Sequence, residues 1–293
     1  YFGSADGHLY AVDTQTGQER WSFKSDDKLY SSPAISGDTV YFGGFDGHFY
    51  ALDTQTGQKQ WSFKSDDEIY SSPAISDGTV YFGSHDGHLY AIDTQTGQQQ
   101  WSFKTDDKVV SSPAITGDTV YFGSHDGHLY AVNTQTGQKQ WSFKTESSVF
   151  SSPAISGDTI CFGSANGHLY AVNAQTGQEQ WSFKTDDKVI SSPAISGSTV
   201  YFGSFDNHLY AVDTQTGQEQ WSFKTQGRVF SSPAISGDTI YFGSADGHLY
   251  AVNTQTGQEQ GSFKTLDFVM SSPAISGGRV YFGSEDGHLY AVK

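Results

Sequence analysis

The sequence predicts an all-β, closed β-propeller of four-stranded antiparallel blades, and three observations carry that prediction. One 40-residue unit returns without insertion from Tyr41-Phe42-Gly43 through Tyr81-Phe82-Gly83 to Tyr281-Phe282-Gly283. Repetition on that scale marks solenoids, propellers and arrays. Each unit holds four short β-prone runs separated by tight-turn pairs, and nothing in it has helical periodicity. Both faces of those runs are bulky, so one sheet cannot cover itself and must stack on its neighbours, which a twisted stack does by closing radially.

The unit from Ser71 to Val110 illustrates the elements in order. Ser71-Ser-Pro-Ala-Ile-Ser76 forms a first strand, closed by Asp77-Gly78 (Gly-Asp in most copies). Thr79-Val-Tyr-Phe-Gly-Ser84 follows, rich in β-branched and aromatic residues. Asp86-Gly87 is a strong hairpin signal leading into His88-Leu-Tyr-Ala-Ile-Asp93. Thr94-Gln-Thr-Gly97 then turns the chain into Gln99-Gln-Trp-Ser-Phe-Lys104. Two-residue hairpins require antiparallel neighbours, which disfavours a parallel β-solenoid. Pro33 and its equivalents lie in the first strand, and proline removes a ladder donor, so that strand is expected at the inner edge of the blade.

Ala51-Leu-Asp53-Thr-Gln-Thr56-Gly57-Gln-Lys-Gln-Trp61 resembles the tryptophan-docking motif of the PQQ-like β-propeller repeat, and the pattern recurs through the chain. The resemblance implies that Trp21, Trp61, Trp101, Trp141, Trp181 and Trp221 pack on a neighbouring blade's backbone. The seventh copy departs from it: Gly261 stands where Trp is expected, so Gly261→Trp is expected to raise the thermal midpoint. Counting strands favours eight blades, the first lacking its inner strand and the last its outer one, with seven as the alternative. The whole of 1–293 is read as one domain.

Strand alternation places the Asp-Gly-His turns and the inter-repeat linkers on one rim. Differences between copies gather there. Tyr30, Phe45, Tyr70, His85, His125, Phe150, Phe205, Phe230 and Glu285 are the candidate binding residues, because exposed aromatics beside variable polar loops suit protein or peptide recognition. Neutral drift of copied units is the competing reading of those differences.

Thirty-two Asp and Glu against sixteen Lys and Arg give a net charge of −16, which repels phosphate backbones and anionic lipid. Nucleic acid is therefore not an expected partner, membrane insertion is not expected, and a monomer is. Cys161 occupies a position that is Tyr in other copies and reads as a core site, and one cysteine permits no internal disulfide. The eight recurring histidines, from His8 to His288, each open a third strand a blade's width apart, too far to share a metal. His85 with His88, and His125 with His128, are the closest local pairs.

Relatives of the same superfamily that are quinoprotein dehydrogenases bind pyrroloquinoline quinone and calcium. The resemblance therefore raises an enzyme hypothesis. It also implies adjacent cysteines, a tryptophan stacked under the quinone, and inserts bearing acidic metal ligands, none of which this sequence carries. The expectation is a non-catalytic binding scaffold without cofactor or metal, extracytoplasmic or periplasmic by resemblance alone. A recently amplified or designed repeat with no ligand, and multivalent carbohydrate binding, are the alternatives.

Overall fold

The computed structural model describes residues 1–293 as strands, turns and linkers, with no helix. The fold is an eight-bladed β-propeller of antiparallel sheets. Two compact units, Tyr1–Lys144 and Thr145–Lys293, hold four blades each. Six blades are four-stranded, represented in the first unit by Ala74–Ser76, Thr79–Gly83, His88–Asp93 and Gln99–Lys104. The first blade has three strands, Phe2–Gly3, His8–Val12 and Glu19–Lys24, and lacks the inner one. The last also has three, Ala274–Ser276, Arg279–Gly283 and Leu289–Val292, and lacks the outer one.

Register follows the hairpin turns. Leu89 faces Gly83 and Tyr90 faces Phe82, while Ala91 faces Trp101 across the outer ladder. That outer ladder slips by one residue between Ala91 and Ile92, leaving Gln100 opposite nothing. The bulge recurs in every blade with an outer strand. Its extra glutamine is used: the Thr79 hydroxyl donates to Gln100 Oε1 at 3.1 Å.

The two faces of a blade are buried by different neighbours. In the first unit Leu9 and Leu29 pack on Val40, Phe42, Tyr50 and Leu52 of the next blade, and Phe49 stacks on Phe82 with centroids 4.0 Å apart. In the second, Leu169, Ala171 and Val189 meet Val200, Phe202 and Val212. Each fully buried aliphatic or aromatic side chain contributes roughly 1.5–3 kcal/mol. The glycine of Tyr81-Phe82-Gly83 is required by this packing, since a Cβ there would collide with Val109 of the following linker. Leu289, with no outer strand beside it, is 43% exposed, whereas its equivalent Leu249 is 3% exposed.

One expected element is shorter than its sequence suggests. The first strand begins at Ala74, after the proline, so Ser-Ser-Pro precedes the strand rather than lying in it. The serines serve other partners. Ser31 Oγ donates to Gly43 O and accepts from Gly43 N, at 2.9 and 2.8 Å. The next serine tethers blade to blade: Ser32 N donates to Ser72 Oγ and Ser72 N to Ser112 Oγ. Ser152, Ser192 and Ser232 repeat this in the second unit.

Candidate functional site

Backbone hydrogen bonds assemble the candidate rim. The linker's Ser65 N donates to Gly47 O and Ile69 N to Gly44 O, binding it to the Asp-Gly-His turn of its own blade. The turn in the next blade is held from the other side: Phe45 N donates to Lys28 O and His85 N to Glu68 O. Residues such as Phe45 and His85 are therefore wedged between two linkers. The first turn and the Thr-Gln-Thr-Gly turn meet at the opposite end, where Thr54 N donates to Asp38 O.

Each Asp-Gly-His-Leu-Tyr segment closes on its own aspartate. Asp86 Oδ1 accepts from His88 N at 2.9 Å, and Asp86 Oδ2 accepts from the Tyr90 hydroxyl at 2.7 Å. His88 Nδ1 lies 3.1 Å from Asp86 Oδ1. Burial alone would raise the Asp86 carboxyl, but the bonds from Tyr90, His88 and Asp66 N outweigh it and hold the group below its usual value. Burial, then Asp86, pushes the Tyr90 phenol up. The rings of His128, His208, His248 and His288 are engaged in the same way, and nowhere do three or more His, Cys, Asp or Glu side chains converge as metal donors. Neither His85 with His88 nor His125 with His128 forms such a group.

The variable rim residues differ between the units. In the first, Tyr30, Phe45, Tyr70 and His85 form a continuous aromatic run. Tyr30 lies 4.9 Å from Phe45 and 5.8 Å from Tyr70, to which it is nearly parallel, and Phe45 lies 5.5 Å from Tyr70. Tyr70 stacks within 5° of the His85 ring at 6.2 Å. Tyr30 and Tyr70 are each 45% exposed, while Phe45, His85 and His125 are half-buried. His85 Nδ1 stands 3.2 Å from Glu68 Oε2. Burial foremost, then Lys108, lowers the His85 imidazole against the opposing pull of Glu68, and burial also lowers His125.

In the second unit the same positions are less continuous. Phe205 and Phe230 pack edge-on at 4.3 Å, and the Arg228 guanidinium sits over the Phe205 ring at 5.1 Å. Ala165 and Ala245 replace the larger turn residues. Phe150 is 37% exposed, Phe205 and Phe230 are half-buried, and Glu285 is exposed, with its N–H donating to Phe268 O. A shallow groove at the other rim, lined by Ser156, Thr159, Gln180, Ser198, Thr214 and Gln215, offers only neutral polar groups and no acid, base or nucleophile pair.

The tryptophans lie on turns of the following blade. Within the units, Trp21, Trp61, Trp101, Trp181 and Trp221 donate from Nε1 to the carbonyls of Thr54, Thr94, Thr134, Thr214 and Thr254 at 2.8–3.0 Å. The Thr-Gly turn is glycine because the ring covers it: a Cβ on Gly97, at φ 70°, would come within 2.8 Å of the Trp61 ring. Trp141 packs on Tyr121 at 5.7 Å. Each acceptor lies 33 residues after its tryptophan. At Gly261 there is no ring, and a Cβ there would meet only open space. Gly261→Trp is therefore still expected to raise the thermal midpoint.

Sequence reading placed Arg228 in a variable linker but found neither its contact with Phe205 nor Glu68, the tethering serines or the Asp–Tyr bonds. Glu68 and Arg228 occupy equivalent positions with opposite charge, and that contrast was the signal available for them.

Residues 1–167 match the family model described as the beta-propeller of beta-alanine-activating enzyme, and residues 140–293 match that of outer membrane protein assembly factor BamB. Among solved structures, BamB from Moraxella catarrhalis is similar, with a TM-score of 0.85 and 21% identity over 98% of this chain and 91% of that one. The computationally designed Ika8 protein gives 0.89 and 23% over 99% and 91%, respectively. A europium-containing methanol dehydrogenase gives 0.81 and 15% over 99% and 80%. These likenesses speak for the fold. No curated protein matches the chain. The residues present do not fit a quinone and calcium site: Cys161 is single, fully buried, and pushed up to about 12 by that burial, and the tryptophans occupy blade-to-blade turns.

Proposed function

Because the chain belongs to the PQQ-like β-propeller family, we propose that it is a non-catalytic scaffold that binds a protein or peptide through the rim of Asp-Gly-His turns and linkers. The observation that carries this reading is the exposed aromatic run Tyr30–Phe45–Tyr70–His85 in the first unit, held on a rigid, bonded backbone. Exposed aromatics fixed in place lose little entropy on binding and dominate interface energetics. One of the family models is that of an assembly factor, which supports a role in contacting other proteins. On this reading residues 1–293 act as one monomeric ring, placed outside the cytoplasm as the BamB likeness suggests, with neither nucleic acid nor bilayer as partner.

Panning a random peptide library on the intact chain tests the proposal. Enrichment of sequences whose binding is lost in Tyr30→Ala/Tyr70→Ala supports it. Failure to enrich any sequence sensitive to that double variant refutes it. A second reading, a repeat protein with no ligand, is favoured by the near-identity of the units and by likeness to a designed protein; it predicts that the library selects nothing.

A further inference from the structure

Two equivalent corners of the linker rim are built with opposite charge. In the second unit, Phe205 on the turn and Phe230 on the linker form an aromatic corner, and Arg228, 23 residues after Phe205, lays its guanidinium over that ring at 5.1 Å. The corresponding corner of the first unit is Phe45 with Tyr70, 5.5 Å apart, and the residue at the place of Arg228 is Glu68. The first unit thus keeps the aromatic corner, enlarges it with Tyr30, and replaces its own cation with a carboxylate.

The surroundings deepen the contrast. Asp26 and Asp27 in one linker, and Asp66 and Asp67 in the next, are exposed beside the aromatic run, opposed locally by Lys28 and, near His85, by Lys108. The neighbouring His85 is within 3.2 Å of Glu68 but is held toward its neutral form by burial. Tyr70 keeps 45% of its surface open. A guanidinium is the cation that fits: it is weakly hydrated, stacks on aromatic faces, and pairs with a carboxylate through a planar fork, which an ammonium cannot do.

We propose that the corner formed by Tyr30, Phe45, Tyr70 and Glu68 receives an arginine side chain from an extended, basic segment of a partner protein. Arg228 on Phe205 is the chain's internal version of the same contact. This inference rests on the reading of the rim as a binding face and assigns the chemistry of its partner.

The test uses the intact chain and two dye-labelled peptides of equal charge, Arg-Pro-Arg-Pro-Arg and Lys-Pro-Lys-Pro-Lys, followed by fluorescence anisotropy. The arginine peptide is expected to bind at least about three-fold more tightly than the lysine peptide. Glu68→Arg, which copies the arrangement of the second unit, is expected to weaken the arginine peptide by about ten-fold or more, as loss of a charge-assisted pair does. Phe205→Ala should leave it unchanged. Glu68 is a surface residue, so a Glu68→Gln variant that folds normally and loses a smaller part of the affinity provides a second check. Equal binding of the two peptides, no binding, or indifference to Glu68→Arg overturns the assignment. The library distinguishes this from failure of the rim itself. Arginine-free sequences that depend on Tyr70 keep the rim and overturn the arginine assignment, whereas no Tyr70-dependent sequence overturns both.

Discussion

The two units repeat the same blade and differ at its edges. In the first, the rim carries Tyr30, Phe45, Tyr70 and His85 in mutual contact beside Glu68. In the second, alanines interrupt the series and Arg228 already covers Phe205. The scaffold differs in the same direction. The first unit has four tryptophans, Trp21, Trp61, Trp101 and Trp141, while the second has Trp181 and Trp221, with Gly261 where a third would stand. The exposed aromatic edge and the fuller set of docked indoles therefore lie in the same unit, an arrangement that would hold exposed side chains in place without help from their own burial.

The largest effect expected from breaking this contrast is at a tryptophan. Trp101→Ala removes a ring lying on Gly137 and a hydrogen bond to Thr134, and should cost about 3 kcal/mol in denaturant unfolding. Gly261→Trp, which fills the open space at the one docking position without an indole, should raise the thermal midpoint by the equivalent of about 1–2 kcal/mol. An unchanged or lowered midpoint would argue against the packing role of the indoles.

Recognition should follow the aromatic series. Tyr30→Ala/Tyr70→Ala is expected to weaken any library-selected peptide by about ten-fold or more, and Phe205→Ala/Phe230→Ala to change it less than about two-fold. Equal losses would dissolve the distinction between the rims.

A third difference concerns acid. Burial alone would raise the Asp6 carboxyl, but the bonds from Tyr10, His8 and Ser4 bring it down to about 2, and Asp286 stands at about 2 for comparable reasons. A depressed folded-state pKa means that the stabilisation is complete above the ordinary value near 4 and is lost as pH falls from there toward about 2. The fifth blade is exempt: Asn166 accepts from His168 N and donates to Tyr170 Oη at 2.7 Å. Asp6→Asn should flatten the thermal midpoint against pH below about 4, and Asn166→Asp should steepen it. Parallel curves for all three proteins would refute this.

The smallest effect is a repair of the second unit. Cys161 sits where Tyr41, Tyr81 and Tyr201 send hydroxyls to threonine carbonyls 53 residues on. Cys161→Tyr places a hydroxyl for Thr214 O and should add about 1 kcal/mol, measured as a rise in midpoint; a fall would show that the site has closed around the smaller side chain.

The fold was legible because Asp-Gly and Gly-Asp turns, alternating bulk and an uninterrupted repeat all point to one arrangement. The missing strands of the first and last blades followed from counting. Pro33 was less legible: its place before the strand depends on Ser32 N reaching Ser72 Oγ forty residues away, a contact no local pattern encodes. Of the candidate site, the rim and its aromatics could be named from differences among copies. Whether Phe45 or Phe205 was covered could not, because that is decided by Glu68 against Arg228 on another strand's linker, and charge reaches the rings only once the chain is folded.

The tethering serines and docked indoles described above each reach only the adjoining repeat, 40 and 33 residues away. During synthesis a blade can consequently lock as soon as its successor leaves the ribosome, without waiting for the distant terminus. A gene that copies one repeat also copies both halves of its fastening, so growth by duplication needs no newly invented interface.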